Sequence, residues 1–175
     1  YQVADPTIPL YPTEIMYNPP GGDPYEFLEM IYLGQAPLDV GGFTFDGINF
    51  TFPQGTVLQP GQLVLLASSA DPDAFAQRYP GVHVDGWFQR TLANGGESLR
   101  LKTPDGQVVW HVRYDDRNGW PQVADGDGAS LELRDPSLGL SDPAAWKPSP
   151  VEGGTPGSWH ATELVPHTLL SLIHI

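Results

Sequence analysis

Gly42-Phe43-Thr44-Phe45-Asp46-Gly47-Ile48-Asn49-Phe50-Thr51-Phe52 is the stretch that decides the fold class. Large apolar residues alternate with small polar ones on both sides of Asp46-Gly47, the period-two pattern of half-buried strands. Asp-Gly supplies the positive φ that a tight hairpin turn needs. The stretch therefore predicts two antiparallel strands joined at Asp46-Gly47.

The same chemistry continues on either side. Upstream, Thr13–Tyr17 reads as a short strand closed by Asn18-Pro19-Pro20-Gly21-Gly22, and Tyr25–Tyr32 as a second, aromatic-rich strand. Downstream, Gln62–Ala67 is a nearly continuous apolar run, as in a strand covered on both faces. One helix is expected, with Ser69 or Asp71 as cap, Pro72 in the first turn, Asp73 near the positive end, and a stop at Tyr79-Pro80-Gly81. Strands follow at Ser98–Lys102, Val108–Tyr114 and Ser130–Arg134, the first two joined by the turn Thr103-Pro104-Asp105-Gly106. Short strands at this spacing, with one helix and no strand–helix–strand rhythm, predict an all-β, antiparallel sandwich.

Composition narrows the function classes. The chain has 175 residues, with Lys+Arg 8 against Asp+Glu 21, a net charge of -13. Such a charge repels a nucleic-acid backbone or an anionic membrane surface. Charged residues are only 17% of the chain and apolar ones 40%, so the acidity is not that of a disordered tail. Gly 20 and Pro 19 lie between the apolar runs, where they make turns. Cys is 0, which removes thiol catalysis, thiolate zinc sites and disulfides together. No apolar run is long enough to span a membrane.

Residues 1–12 are Pro-rich and polar, and are expected to be a linker or the end of a preceding domain. Residues 13–158 are expected to form the sandwich, with Ser149–Ser158 as a domain-ending loop. Residues 159–175 are expected to be an unstructured tail. Its last part, His167–Ile175, reads like a translated sequencing adapter and is expected not to be native. The chain starts at Tyr1 with no basic-then-apolar leader, so it reads as a mature chain or an excised piece.

An ordered series of motifs then resembles the lamin tail domain, in its bacterial secreted or surface form. It begins with Glu14–Pro20, Glu26-Phe27-Leu28-Glu29, Phe50–Thr56 and Leu58–Leu65. It continues with Leu92–Leu99, Asp105-Gly106, Tyr114-Asp115-Asp116, Trp120-Pro121, Asp125–Leu133, Trp146 and Gly153–Gly157. The resemblance implies an immunoglobulin-like β-sandwich acting as an attachment or interaction module beside hydrolase, nuclease or kinase-like domains, at the cell surface or outside the cell. It implies no catalytic residues. Two positions depart from the family pattern: Tyr32 where Asn is frequent, and Phe43 where Trp is frequent.

Candidate chemistry is sparse. Glu26 and Glu29 sit three apart on one strand and so face opposite ways; Asp115 and Asp116 are adjacent, and all four read as charges at strand ends. Asp125-Gly126-Asp127-Gly128 could offer two carboxylates to calcium, but Ala129 occupies the fifth position of a calcium loop and no Glu the twelfth, so turns leading into a strand are expected. His83, His111, His160, His167 and His174 show no metal-ligand spacing, and His111 reads as an exposed or cross-strand residue. Some of Trp87, Trp110, Trp120, Trp146 and Trp159 are candidates for stacking on sugar rings, Trp87 and Trp120 foremost, while the family resemblance implies that Trp120 and Trp146 pin loops against the sandwich. Asn49-Phe50-Thr51 is a glycosylation sequon placed in a predicted strand. No catalytic, cofactor-binding or metal-ligating set is assigned. The expected function is a non-catalytic interaction module, with a sugar-binding module or a calcium-stabilised accessory domain as alternatives, and with a protein or envelope polymer as partner.

Overall fold

The structure, a computed structural model, describes residues 7–159. In chain order the elements are β1 (Leu10–Met16), β2 (Phe27–Tyr32), β3 (Leu38–Asp39), β4 (Thr44–Asp46), β5 (Val57–Leu58), β6 (Leu63–Ser68) and the helix α1 (Pro72–Arg78). They continue with β7 (Gly86–Phe88), β8 (Glu97–Lys102), β9 (Val108–Tyr114), β10 (Leu131–Leu133) and β11 (Trp146–Pro148). Six strands form one sheet in the order β11-β10-β1-β2-β6-β7, three form a second in the order β4-β8-β9, and β3 pairs with β5. This is an immunoglobulin-like β-sandwich with one short helix.

The two larger sheets close on one apolar core. Ile15, Leu28, Met30, Leu66 and Leu131 point inward from the six-stranded sheet, against Phe45, Leu99, Leu101, Trp110 and Val112 from the three-stranded one. Burial of each such side chain is worth roughly 1.5–3 kcal/mol. The outer face of the six-stranded sheet is also covered. Met16, Phe27, Leu65 and Ala67 pack there against Phe75 of α1, which explains why β2 and β6 carry no polar stripe.

Several boundaries differ from the sequence reading for identifiable reasons. Leu10–Pro12, expected in a linker, already belong to β1, where they pair with Met30–Tyr32 of β2. Pro12 is tolerated because β10 pairs only with Glu14 and Ile15, which leaves the Pro12 end of β1 with one neighbour. A bulge between Pro12 and Glu14 makes Thr13 the extra residue.

At Asp46-Gly47 the chain does reverse, with Gly47 at φ +103° and Ser98 O where a Cβ would come to 2.8 Å. The loop is wider than a two-residue turn, however: Phe45 N–H donates to Phe50 O, and Thr44 bridges Thr51. Asn49 turns aside to pair with Gln89 before Phe52 returns to bond Phe43 and Gly42, so Ile48–Phe52 makes isolated bridges rather than a continuous strand.

The helix matches its expected cap, since Asp71 Oδ1 accepts from Ala74 N–H at 3.0 Å. It lies between β6 and β7, which run parallel, the single departure from antiparallel pairing among the described strands.

Candidate functional site

Register places three glutamates and a lysine in one row across four strands. Glu14 of β1 stands opposite Glu29 of β2 and Glu132 of β10, and Glu132 opposite Lys147 of β11. The row lies on the outer face, and its glutamates are almost sealed from solvent: Glu14 is 1% exposed, Glu29 0% and Glu132 5%. A buried carboxylate is costly unless its oxygens are bonded. Here they are, chiefly by the segment after Ser149.

That segment folds back as a strap. Gly157 N–H donates to Glu29 Oε2 at 2.7 Å, and Thr155 N–H to Glu14 Oε1 at 2.7 Å. Thr13, brought alongside by the bulge, donates to Glu29 Oε1 at 2.9 Å, and Ser130 Oγ bonds Glu14 Oε1. Tyr79 O–H holds the strap from α1's end by donating to Gly153 O at 2.7 Å. The strap comes so close that a Cβ on Gly154 would lie within 2.4 Å of Glu14 Oε1.

Thr155 Oγ1 lies 3.1 Å from Glu14 Oε2 and 2.9 Å from Glu132 Oε1. A hydroxyl has one proton to donate, so one contact needs a proton on a carboxyl. Glu14 is the group suited to carry it. Burial pushes its pKa up to about 7 against the hydrogen bonds from Ser130 and Thr155, with the Glu132 charge adding to the rise. The chain of bonds then reads Glu14 carboxyl to Thr155 hydroxyl to Glu132, whose Oε2 is 3.6 Å from Lys147 Nζ. Glu29 is raised to about 8 by burial and then by the Glu14 charge.

Glu26 faces the other way, as its three-residue separation from Glu29 requires. Its Oε2 accepts from Leu92 N–H at 2.9 Å, and burial raises its pKa to about 8. Glu97 Oε1 accepts from Ala93 N–H at 2.8 Å, so the two carboxyls tie down the Leu92–Gly96 loop. Reading Glu26 and Glu29 as ordinary strand-end charges is therefore overturned. Both are buried, because the elements around them are covered on both faces. Asp115 and Asp116 do lie in the loop after β9; Asp115 is half-buried, accepts from Arg117 N–H, and is held below the usual carboxylate range first by its hydrogen bond with Asp116.

The remaining candidates are scattered. Asp125 Oδ1 accepts from Asn18 Nδ2 at 2.8 Å, and Gly126 and Gly128 at positive φ make the turns into β10. Among the described residues no three His, Asp or Glu side chains are grouped to hold a metal. Trp120 is 5% exposed and packs on Trp146 with ring centroids 6.3 Å apart, so it is not available to stack on a sugar. Trp146 Nε1 donates to Leu140 O. Trp110 is buried and Trp159 packs against the core, whereas Trp87 is 37% exposed on β7 and meets Phe75 edge to face.

His83 lies 3.2 Å from Asp85, and His111 sits opposite Arg100. His160, His167 and His174 lie outside the described residues, as does the adapter-like segment 167–175. Asn49 is exposed in a loop rather than in a strand.

Sequence reading did not single out the Glu14–Glu29–Glu132 row. A signal was present: Glu within a run that is apolar on both sides of the pleat must be buried, and Thr13 and Ser130 each stand within two residues of a Glu of the row.

The row is bonded to the molecule's own strap, so it fastens chain to chain rather than presenting a free acid or base. The sequence model described as Lamin Tail Domain matches residues 6–116, more than half of the chain. That match ends before β10 and β11, which complete the six-stranded sheet, and before the strap. No curated protein matches the chain.

Proposed function

This chain belongs to the lamin tail domain family, and on that premise we propose that it is a non-catalytic interaction module of a larger exported or cell-surface bacterial protein. Its partner is a protein, an envelope polymer or a neighbouring domain of the same chain. One observation carries the non-catalytic reading. The glutamates whose raised pKa values would suit acid–base work, Glu14, Glu26 and Glu29, are buried and bonded to the strap or to the Leu92–Gly96 loop. The exported setting rests on the likeness of the whole ordered motif series, from Glu14–Pro20 through Gly153–Gly157, to bacterial secreted or surface members of the family. A net charge of -13 opposes contact with nucleic acid, and no helix among the described residues is long and apolar enough to cross a membrane.

The test immobilises the full chain and passes source-cell envelope extract over it, before and after protease treatment. Protease-sensitive retention is expected. Retention by neither fraction, or substrate turnover by the isolated chain that Glu29→Gln abolishes, would sink the reading. The sugar-binding alternative survives only at Trp87, the exposed member of its two foremost candidates. A tryptophan-fluorescence response to a glycan that disappears in Trp87→Ala would favour it.

A further inference from the structure

The outer face of the three-stranded sheet concentrates positive charge on an acidic chain. Arg100 and Lys102 of β8 and Arg113 of β9 share it, three of the chain's 8 Lys+Arg, with His111 directly opposite Arg100. The alternation that turns Leu99, Leu101, Trp110 and Val112 into the core turns these residues outward. Asp46 of β4 is the acid on this face, and it is taken by Lys102 at 2.8 Å. Arg100 and Arg113 are exposed and have no ion-pair partner among the described residues. Burial first, then the Arg100 and Arg113 charges, hold the His111 pKa below its ordinary value, which favours its neutral form and leaves the two arginines as the charges of this row.

The same sheet has an open edge. Its order is β4-β8-β9, so β9 pairs on one side only. Arg113 N–H points away from β8, donating to Ser141 Oγ at 2.9 Å. In an antiparallel ladder every second residue repeats that direction, so His111 also directs its N–H and C=O outward. Ser141 occupies the Arg113 end, and among the described residues no strand covers the part toward Val108, which is 48% exposed.

We propose that the edge of β9 receives an extended acidic peptide segment of a partner protein, which adds a strand beside Val108–His111 and sets its acidic side chains against Arg100 and Arg113. Main-chain bonds to an open edge give affinity without sequence preference, and the cations select alternate acidic residues on one face of the incoming strand. The inference rests on the interaction-module reading and gives it a surface and a class of partner.

The test selects short linear peptides from a displayed random library on the immobilised full chain. Enriched peptides are expected to be acidic at alternate positions. They should bind at least about tenfold more weakly to Arg100→Glu/Arg113→Glu, a double variant of exposed residues whose fold is checked by circular dichroism. N-methylation of alternate amides in one register should abolish binding without changing peptide charge. Enriched peptides lacking acidic excess, or indifferent to the double variant or to N-methylation, overturn this surface and leave the module reading intact. No enriched peptide, with polyphosphate bound through the same arginines, overturns it in favour of a polymer. No peptide enriched and nothing retained from envelope extract overturns both readings.

Discussion

The backbone N–H of Gly157 donates a hydrogen bond to the buried Oε2 of Glu29 at 2.7 Å, linking residues 128 apart in the chain. With the Thr155 bonds to Glu14 it makes a Pro- and Gly-rich segment part of the fold. Thr155→Val keeps the shape and the backbone bond but removes the hydroxyl between Glu14 and Glu132. Loss of a bond that leaves a buried partner unpaired costs about 1–3 kcal/mol. We expect a destabilisation of that size for Thr155→Val in urea unfolding, and a smaller one for Thr155→Ser. Equal effects would show that the hydroxyl is not the bridging group.

The row predicts an acid-favouring stability profile. A free glutamate loses its proton near pH 4.5, whereas folded Glu14 keeps its own to about 7 and Glu29 to about 8. Between those values the folded state binds more protons than the unfolded one, so stability falls as pH rises. The contribution is complete below about pH 4.5 and is lost as pH passes through 7 to 8. Thermal melts should give a higher Tm at mildly acidic than at mildly alkaline pH. Glu29→Gln, which stays neutral and can still accept from Gly157, should flatten part of that slope. A wild-type Tm that rises with pH across this window would contradict the burial of these groups as acids.

Gly154 sits at φ +75°, and its missing Cβ leaves the room that Glu14 Oε1 occupies. Gly154→Ala therefore meets both backbone strain and a contact at 2.4 Å. It should destabilise by more than the roughly 1 kcal/mol that separates the two residues in ordinary backbone. Gly55→Ala has φ +81° but nothing within 4 Å of its Cβ, which isolates the strain alone. The difference between the two midpoints in urea measures the close approach of the strap.

What could be read in the sequence was local. Val108–Tyr114 coincides with β9, and Asp71-Pro72 places the start of α1, because strand alternation and helix capping are set by neighbours in the chain. Ile48–Phe52 alternates as well as any strand here, yet its partner at Asn49 is Gln89, forty residues away, and no local pattern announces that. The glutamate row is hidden for the same reason. Glu14, Glu29 and Glu132 become neighbours only through the register of three strands, and their protonation depends on a strap whose composition reads as loop. The fold class needed only the local signals; the site needed the pairing.

Trp120 and Trp87 separate cleanly in what solvent can reach. Trp120 lies in the core against Trp146, and Trp87 is 37% exposed on β7. Iodide should quench a fraction of the native tryptophan emission that Trp87→Phe removes and that Trp120→Phe leaves in place. Truncation should rank in the opposite order. Trp120→Ala empties a buried site and should cost about 3–5 kcal/mol. Trp87→Ala gives up an edge contact with Phe75 while its other surface is already in water, so its cost should be well below that. If Trp120→Ala were the milder change, or if its removal took away the iodide-sensitive emission, Trp120 would be at the surface. The choice between the two tryptophans as a sugar platform would then reverse.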